Sequence, residues 1–324
     1  MIVLEKYREA LESKMDSVVS QKEPAQLYEP IKYILSLGGK RLRPVLTLLS
    51  CDFFDSDFND ALPAALAVEL FHNFSLIHDD IMDKAPLRRG QITVHEKWDI
   101  NTGILSGDAM LILAYQLFES YEPNEFQELA KLFSRTALQV CEGQQYDVDF
   151  ETRNDVGISE YIMMIDYKTA VLIGAAMKMG AIVGKASTDC KESMYQFGRN
   201  LGIAFQLQDD YLDAFGNPQT FGKQVGGDII ANKKTFLYLK ALQMGAVSEK
   251  ETLIRLFNET PNDPSVKIEL AKKIFQNSGA ANATSEEIEI YTQKAYDILE
   301  SIQISEEKKQ QLRVLGEVLM KRKV

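Results

Sequence analysis

Cysteine is scarce in this sequence. The three cysteines, Cys51, Cys141 and Cys190, lie far apart and form no Cys-x-x-Cys pair and no Cys/His spacing. A disulfide framework or a structural zinc site needs clustered cysteines, so the sequence argues against both. A reducing compartment is the simplest location for such a chain, and we expect a cytoplasmic protein.

Proline, flexible linkers and long apolar runs are also lacking. The chain has 9 prolines and no Ser/Gly-rich linker, so we expect a single domain over residues 1–324. The longest apolar stretch, residues 169–184, is interrupted by Lys178 and is shorter than the roughly 18–20 residues that a membrane span requires. Residues 1–20 alternate charged and apolar positions, unlike a secretory signal. We therefore expect no transmembrane segment.

An excess of basic residues is missing as well. The net charge is −11, which argues against nucleic acid as the main partner, because binding to phosphate backbones needs a basic surface. If so acidic a protein acts on an anionic substrate, it must bind that substrate locally, through clustered Lys and Arg or through divalent cations.

Helical periodicity is what the sequence has in abundance. Apolar residues recur at i, i+3, i+4 and i+7 in six stretches, 61–83, 104–121, 125–147, 159–184, 191–215 and 234–245. Turn residues separate these stretches, and the alternation typical of strands is rare. The pattern predicts an all-α, single-domain helical bundle of roughly ten to thirteen helices, with the more polar residues 246–324 as its later part.

Two acidic motifs of similar sequence lie at the ends of apolar helices. They are Asp79-Asp80-Ile81-Met82-Asp83 and Asp209-Asp210-Tyr211-Leu212-Asp213. The first and last carboxylates of each motif share a helix face, about 6 Å apart along the axis, and the middle residues Asp80 and Asp210 are turned about 100° away. Like charges at this spacing, at the negative end of a helix dipole, oppose helix formation. A bound cation would offset that cost, and we expect the two pairs to converge on it.

The ligand chemistry indicates magnesium. All-oxygen ligands suit a hard cation, and Mg²⁺ usually combines one or two carboxylates with water and substrate phosphates. About three Mg²⁺ ions would bring the four carboxylates and a diphosphate close to neutrality. A single motif could equally be a solvated acidic helix end, but two copies in apolar helices make that interpretation weak. A di-iron bundle is disfavoured because no Glu-x-x-His pair is present.

Basic residues accompany the acidic motifs. They occur in Gly38-Gly39-Lys40-Arg41-Leu42-Arg43-Pro44, in Arg88-Arg89-Gly90, and at Lys168-Thr169, Lys223 and Lys233-Lys234. A glycine turn with Lys and Arg ahead of a helix is a good anion site, although each basic group taken singly could be a solvated surface residue. His72 lies two turns before Asp79 on nearly the same face, where it could contact a diphosphate or be a core residue. Asp147, at the end of Gly143-Gln144-Gln145-Tyr146-Asp147, could reinforce the first metal cluster.

From about residue 30 to 240, these motifs occur along the chain in an order that resembles that of the trans-isoprenyl diphosphate synthases, the polyprenyl synthetase family. Within that family the chain resembles the short-chain farnesyl or geranylgeranyl type. The resemblance implies an all-α bundle around a deep central cavity, usually in a homodimer. It implies Mg²⁺-dependent condensation of isopentenyl diphosphate with an allylic diphosphate (dimethylallyl, geranyl or farnesyl). In that reaction, loss of diphosphate leaves an allylic carbocation, which the isopentenyl double bond attacks before a proton is lost.

The resemblance also implies residue roles. Mg²⁺ would be held by Asp79, Asp83, Asp147 and Asp209, to which the spacing argument adds Asp213. The allylic diphosphate would be held by Arg88, Lys168, Thr169, Gln206, Lys223 and Lys233, with Lys234 as the alternative to Lys233. Isopentenyl diphosphate would be held by Lys40, Arg43, His72 and Arg89. Catalytic roles would fall to Asp79, Asp83, Arg88, Lys168, Asp209 and Lys223.

Two phenylalanines are candidates for controlling product length. Phe74 and Phe71 lie five and eight residues before Asp79 and point roughly the same way from the helix. In relatives, a bulky residue at the fifth position goes with short products, so we expect a C15 to C20 product, farnesyl or geranylgeranyl diphosphate. Two alternatives remain: a class I terpene cyclase, and a non-catalytic partner subunit of a prenyl synthase.

Overall fold

The computed structural model describes residues 2–19, 22–216, 225–261 and 263–320, and its regular structure is almost entirely helical. The helices are α1 (Ile2–Val19), α2 (Ala25–Ser36), α3 (Leu42–Asp52), α4 (Leu62–Met82), α5 (Val94–Lys97), α6 (Ile100–Leu117), α7 (Pro123–Thr152), α8 (Ile158–Ile165), α9 (Val171–Val183), α10 (Thr188–Phe215), α11 (Gly227–Ile230), α12 (Phe236–Met244), α13 (Val247–Leu256), α14 (Ser265–Asn277), α15 (Ala280–Ser301) and α16 (Glu306–Met320). Short 3₁₀ turns lie at Phe58–Ala61 and Phe118–Ser120, and a π-helical turn lies at Asp166–Ala170. The predicted all-α fold is confirmed.

The chain divides into two compact units, and the first comprises residues 1–137 and 175–195. In this unit α4 packs against α3 and α6, and α2 packs against α6. Helix α4 has a proline, Pro63, in its first turn, where the missing N–H costs no hydrogen bond. Residues 64–71 are buried on every side, as expected for a helix at the centre of its unit. The first acidic motif therefore ends a rigidly packed helix.

A small hairpin follows α4 and was not predicted. Strands β1 (Leu87–Arg88) and β2 (Gln91–Ile92) pair antiparallel. The two turn residues, Arg89 and Gly90, both have positive φ, 53° and 75°, as a two-residue type I′ turn requires. Strands of two residues are too short to give an alternating sequence pattern.

The second unit comprises residues 138–174 and 196–324. Here α12 packs against α15, α14 packs against α15, and α11 packs against α14. Tyr161, Phe236 and Phe275 are among the large side chains buried in its core. The described part of the polar segment 246–324 is helical, as predicted. The single domain over residues 1–324 stays a prediction.

The predicted helical stretches correspond closely to observed helices, with one exception. The stretch 159–184 was predicted as continuous, but the π-helical turn separates α8 from α9 within it. Within the described ranges, no helix combines the length and the apolar character needed to cross a lipid bilayer.

Candidate active site

The first acidic motif divides its carboxylates between two directions. Asp79 lies in the last turn of α4 and is partly exposed, and Asp83, the C-cap residue, is exposed. The Asp80 side chain is only 2% exposed. This is the division expected from 100° per residue around a helix: the outer two carboxylates face outward, and the middle one faces the protein.

Asp80 anchors Arg88 of the hairpin. The Nε of Arg88 donates to both carboxylate oxygens at 2.9 and 2.8 Å, and Nη2 lies 2.7 Å from Oδ1. The same Nη2 is 3.7 Å from Oδ2 of Asp79. Burial alone would lower the pKa of Arg88, but the hydrogen bonds and charge of Asp80 outweigh it and raise that pKa. The hairpin thus holds a fixed cation beside Asp79.

Arg41 anchors the glycine turn of the first unit. It is the N-cap residue of α3 with a left-handed φ of 48°, and its buried guanidinium donates to Glu69 and to the carbonyl of Leu35. Asn73 donates to the same Glu69 oxygen at 2.9 Å. Arg41 could not be distinguished from its neighbours in the sequence analysis, because its partner Glu69 is remote in the chain. Its role is to orient the segment that carries Lys40 and Arg43.

The structure brings together three of the four residues predicted to hold isopentenyl diphosphate. The Nη1 of Arg43 lies 3.5 Å from Nε2 of His72. The Arg89 guanidinium donates to the carbonyl of Gly38 in the glycine turn. Desolvation, followed by the charges of Arg43 and Arg89, holds the pKa of His72 well below its ordinary value. The fourth residue, Lys40, is exposed in the same turn. This cluster offers several cations and one neutral imidazole to an anionic group.

The candidate chain-length residues belong to an aromatic cluster in the first unit. Phe71 and Phe74 are both buried, with ring centroids 5.5 Å apart. Phe74 also packs on His78 at 4.7 Å, and Phe71 on Phe133 at 5.2 Å. Edge and tilted contacts of this kind hold rings in fixed positions. Phe133 of α7 was not predicted, because only the tertiary structure brings it to α4, and His78, which lies on α4 itself four residues after Phe74, was not singled out.

The second acidic motif is also divided. Asp209 is partly exposed, and Asp210 is buried, where it accepts hydrogen bonds from Tyr161 and from Nε2 of Gln206. Burial and the charge of Asp228 raise the pKa of Asp210 to about 8, against the opposing effect of its hydrogen bonds. Tyr161 and Asp228 were missed, because neither lies within a recognisable motif.

Asp213 is nearly buried and has a backbone partner. Its Oδ2 accepts the N–H of Asp228 at 3.0 Å, at the start of α11. The carboxylate predicted from the sequence to bind a metal thus also anchors the start of α11.

Lys168 and Thr169 lie in the π-helical turn. The Nζ of Lys168 is 2.5 Å from Oδ2 of Asp147, and Thr169 donates to Oε1 of Gln206 at 3.2 Å. Burial would raise the pKa of Asp147, but Lys168 and Lys233 outweigh it and lower that pKa. The predicted ligands Asp147, Lys168, Thr169, Gln206 and Lys233 are thus neighbours within the second unit.

The structure also distinguishes Lys233 from Lys234. The Nζ of Lys234 donates to the carbonyls of Phe150 and Glu151 at 2.7 and 3.1 Å, near the end of α7. Lys233 instead acts electrostatically on Asp147 and Asp210. This favours Lys233 as the substrate-facing lysine. Lys223 lies outside the described residues.

The donor groups fit a hard divalent cation. Asp79, Asp83, Asp147 and Asp209 offer only oxygen, which Mg²⁺ prefers. In the described part of the chain, no three His, Cys, Asp or Glu side chains are arranged as a complete metal cage. Mg²⁺ takes one or two carboxylates and fills its shell with water and phosphate, so it does not require such a cluster.

Comparison with known proteins identifies the family. The family model described as "Polyprenyl synthetase" matches residues 24–274. A geranylgeranyl diphosphate synthase of Methanosarcina mazei is 40% identical over 237 residues, which cover 72% of this chain and 73% of that protein. A geranylfarnesyl diphosphate synthase of Natronomonas pharaonis is 35% identical over 297 residues, covering 86% and 85%.

A solved structure agrees with these relatives. A crystal structure of a geranylgeranyl pyrophosphate synthase is 53% identical, covers 99% of both chains and superposes with a TM-score of 0.95. With the family model matching most of the chain, these similarities show that the chain belongs to the polyprenyl synthetase family and is a short-chain trans-prenyltransferase.

Proposed function

We propose that the enzyme condenses isopentenyl diphosphate with dimethylallyl, geranyl and farnesyl diphosphate, with Mg²⁺ as cofactor, and that its product is geranylgeranyl diphosphate. The observation that carries the proposal is that the first unit combines two carboxylates, the partly exposed Asp79 and the exposed Asp83, with a basic cluster of Arg43, His72 and Arg89. Carboxylates for metal and cations for diphosphate are what the reaction needs.

The proposed metal ligands are Asp79 and Asp83 of the first unit and Asp147 and Asp209 of the second. Bound Mg²⁺ supplies positive charge for the departing diphosphate, with about three ions per site. Asp213 stays a predicted ligand, and its Oδ2 also accepts the N–H of Asp228. That both acidic motifs act on one diphosphate remains a prediction from the sequence.

The protein's own cations would act on the two diphosphates separately. Arg88, fixed by Asp80, would stabilise negative charge on the allylic diphosphate, and the family resemblance implies the same role for Lys168, Thr169, Gln206, Lys233 and the undescribed Lys223. Lys40, Arg43 and Arg89 would hold isopentenyl diphosphate. Such positioning makes attack of the double bond on the allylic carbocation effectively intramolecular, and the proton released in that step would pass to the departed diphosphate.

A neutral His72 suits this task. With its pKa held low, the imidazole can accept from Arg43 and donate to a diphosphate oxygen through its other nitrogen. A hydrogen-bond donor without charge orients the substrate and adds no cation to an already basic cluster.

We further propose that the enzyme is located in the cytoplasm. We also propose that it forms a homodimer through α6. The α6 apolar face, Ile100, Ile104, Leu105 and Ile112, is exposed. At 100° per residue, Ile104, Leu105 and Ile112 fall within about 100° of one another around the helix, and Ile100 lies about 40° from Ile104. A group of large exposed apolar side chains favours a protein interface, and a second copy of the chain is the partner that the family resemblance implies.

Incubation of the purified protein with Mg²⁺, labelled isopentenyl diphosphate and each allylic diphosphate tests the proposal. We expect elongation to geranylgeranyl diphosphate, loss of activity with a chelator and its return with added Mg²⁺. A cyclic hydrocarbon product would instead identify a terpene cyclase. Absence of turnover with every allylic substrate would identify a non-catalytic partner subunit. Either of these outcomes would sink the proposal.

A further inference from the structure

The π-helical turn Asp166–Ala170 contains two of the proposed substrate ligands, Lys168 and Thr169. A π turn closes hydrogen bonds from i to i+5 and holds one residue more than an α turn. One inserted residue changes the direction of the following side chains by about 100°. The direction in which Lys168 points therefore depends on whether this turn keeps its wide form.

An ion pair between a buried carboxylate and a partly exposed guanidinium holds the first residue of the turn. Asp166 accepts from Nε of Arg199 on α10 at 2.7 Å, and its other oxygen accepts from Nη2 of the same guanidinium. The side chain of Asp166 is 5% exposed and that of Arg199 36%. A two-pronged Arg–carboxylate contact fixes orientation as well as distance.

Two glycines confine the backbone of the turn. A Cβ on Gly143 of α7 would lie 2.8 Å from Cα of Lys168, and a Cβ on Gly202 of α10 would lie 2.8 Å from Cα of Ala170. Such distances are shorter than side-chain packing allows. The turn therefore fits against α7 and α10 only in a narrow range of positions.

We propose that the Asp166–Arg199 ion pair is a positioning device that keeps the π-helical turn wide and so holds Lys168 beside Asp147. The inference rests on the proposed function, in which Lys168 holds the allylic diphosphate. Neither Asp166 nor Arg199 touches the substrate. Their effect passes through Lys168, whose Nζ is 2.5 Å from the Asp147 carboxylate.

Kinetics of Arg199→Gln test the proposal. We expect the KM for the allylic diphosphate to rise about tenfold, as for a misplaced positioning group, while the KM for isopentenyl diphosphate stays within about twofold. Arg199→Lys keeps the positive charge but loses the two-pronged geometry. We therefore expect its KM for the allylic diphosphate to lie between those of the wild type and Arg199→Gln. Arg313→Gln removes an ion pair with Glu300 on α15 and serves as the matched control, with unchanged kinetics.

A double variant separates positioning from general damage. If Arg199 acts through Lys168, then Arg199→Gln combined with Lys168→Ala is no worse than Lys168→Ala alone. The positioning role would be overturned if the double variant showed the product of the two single-variant effects on the allylic KM. It would also be overturned if Arg199→Gln raised the KM for the allylic diphosphate and the KM for isopentenyl diphosphate equally. A raised allylic KM in Lys168→Ala together with wild-type kinetics in Arg199→Gln would overturn it as well. An unchanged allylic KM in Lys168→Ala would instead overturn the function proposed for Lys168, and the positioning role with it.

Discussion

At the residue scale, carboxylates next to each other in the chain have different tasks. Asp79 and Asp83 point outward from α4, whereas Asp80 holds the Arg88 guanidinium. The same holds for Asp210, which is buried against Tyr161 and Gln206 with its pKa raised to about 8. Outer carboxylates suit metal binding, and inner ones fix the surrounding side chains. The 100° rotation per residue was enough to predict the division, but the partners Arg88 and Tyr161 depend on tertiary contacts.

His72 gives the unfolding free energy a pH dependence. An unfolded imidazole titrates near about 6.5, and the folded pKa is lower. As the pH falls below about 6.5, the unfolded chain binds a proton that the folded chain does not, so the stability contribution of neutral His72 is lost. We expect His72→Gln to lose less unfolding free energy than the wild type between about pH 7 and pH 5. Urea unfolding at both pH values measures this, and equal losses would contradict it.

Phe74 limits product length in our proposal. Removing its ring opens space beside Phe71 and His78, so Phe74→Ala should give products longer than C20, as identified by mass spectrometry. Phe126→Ala removes an exposed ring of α7 and should leave product length unchanged. Wild-type products from Phe74→Ala would refute the assignment.

At the scale of elements, the close approach of α7 to the π-helical turn determines where Lys168 lies. Gly143 begins the motif that ends at Asp147, and the structure explains the glycine: no side chain fits against the backbone of residues 167 and 168. Periodicity predicted the helices on either side, since their apolar faces repeat regularly. It did not predict the π turn, because a single inserted residue barely changes an apolar pattern in a stretch that is apolar nearly throughout.

Gly143→Ala should therefore destabilise the protein, although alanine is the better helix former. Its Cβ would overlap the π turn, at a cost of about 1–3 kcal/mol for overpacking. Thermal unfolding measures the change, and we expect the allylic KM to rise with it. Gly157→Ala is the matched control, because its Cβ would meet no atom closer than 3.6 Å. Equal stability of the two variants would contradict this explanation.

At the scale of the whole molecule, an acidic chain carries local basic clusters. The net charge is −11, yet Arg43, Arg88 and Arg89 all act on His72 electrostatically. The composition predicted that anions must be bound locally, and the motifs predicted which cations take part. The family resemblance already favoured Lys233 over Lys234, and the hydrogen bonds of Lys234 to the end of α7 are consistent with that prediction.

Substitutions in the apolar face of α6 test whether the protein forms a homodimer through this helix. We expect the wild type to sediment as a dimer and the double variant Ile104→Lys/Ile112→Lys as a monomer, since two buried charges without partners would oppose association. Val266→Lys alters an exposed apolar residue of α14 and should remain dimeric. A monomeric wild type, or a double variant that still dimerises, would rule out this interface.

The bonds of Lys234 have a mechanical consequence. Its ammonium is tethered to the last carbonyls of α7, the helix that carries Asp147. We expect a displacement of that helix end to move the neighbouring Lys233 with it, so that the separation between Lys233 and Asp147, and with it the electrostatic field at Asp147, stays nearly constant.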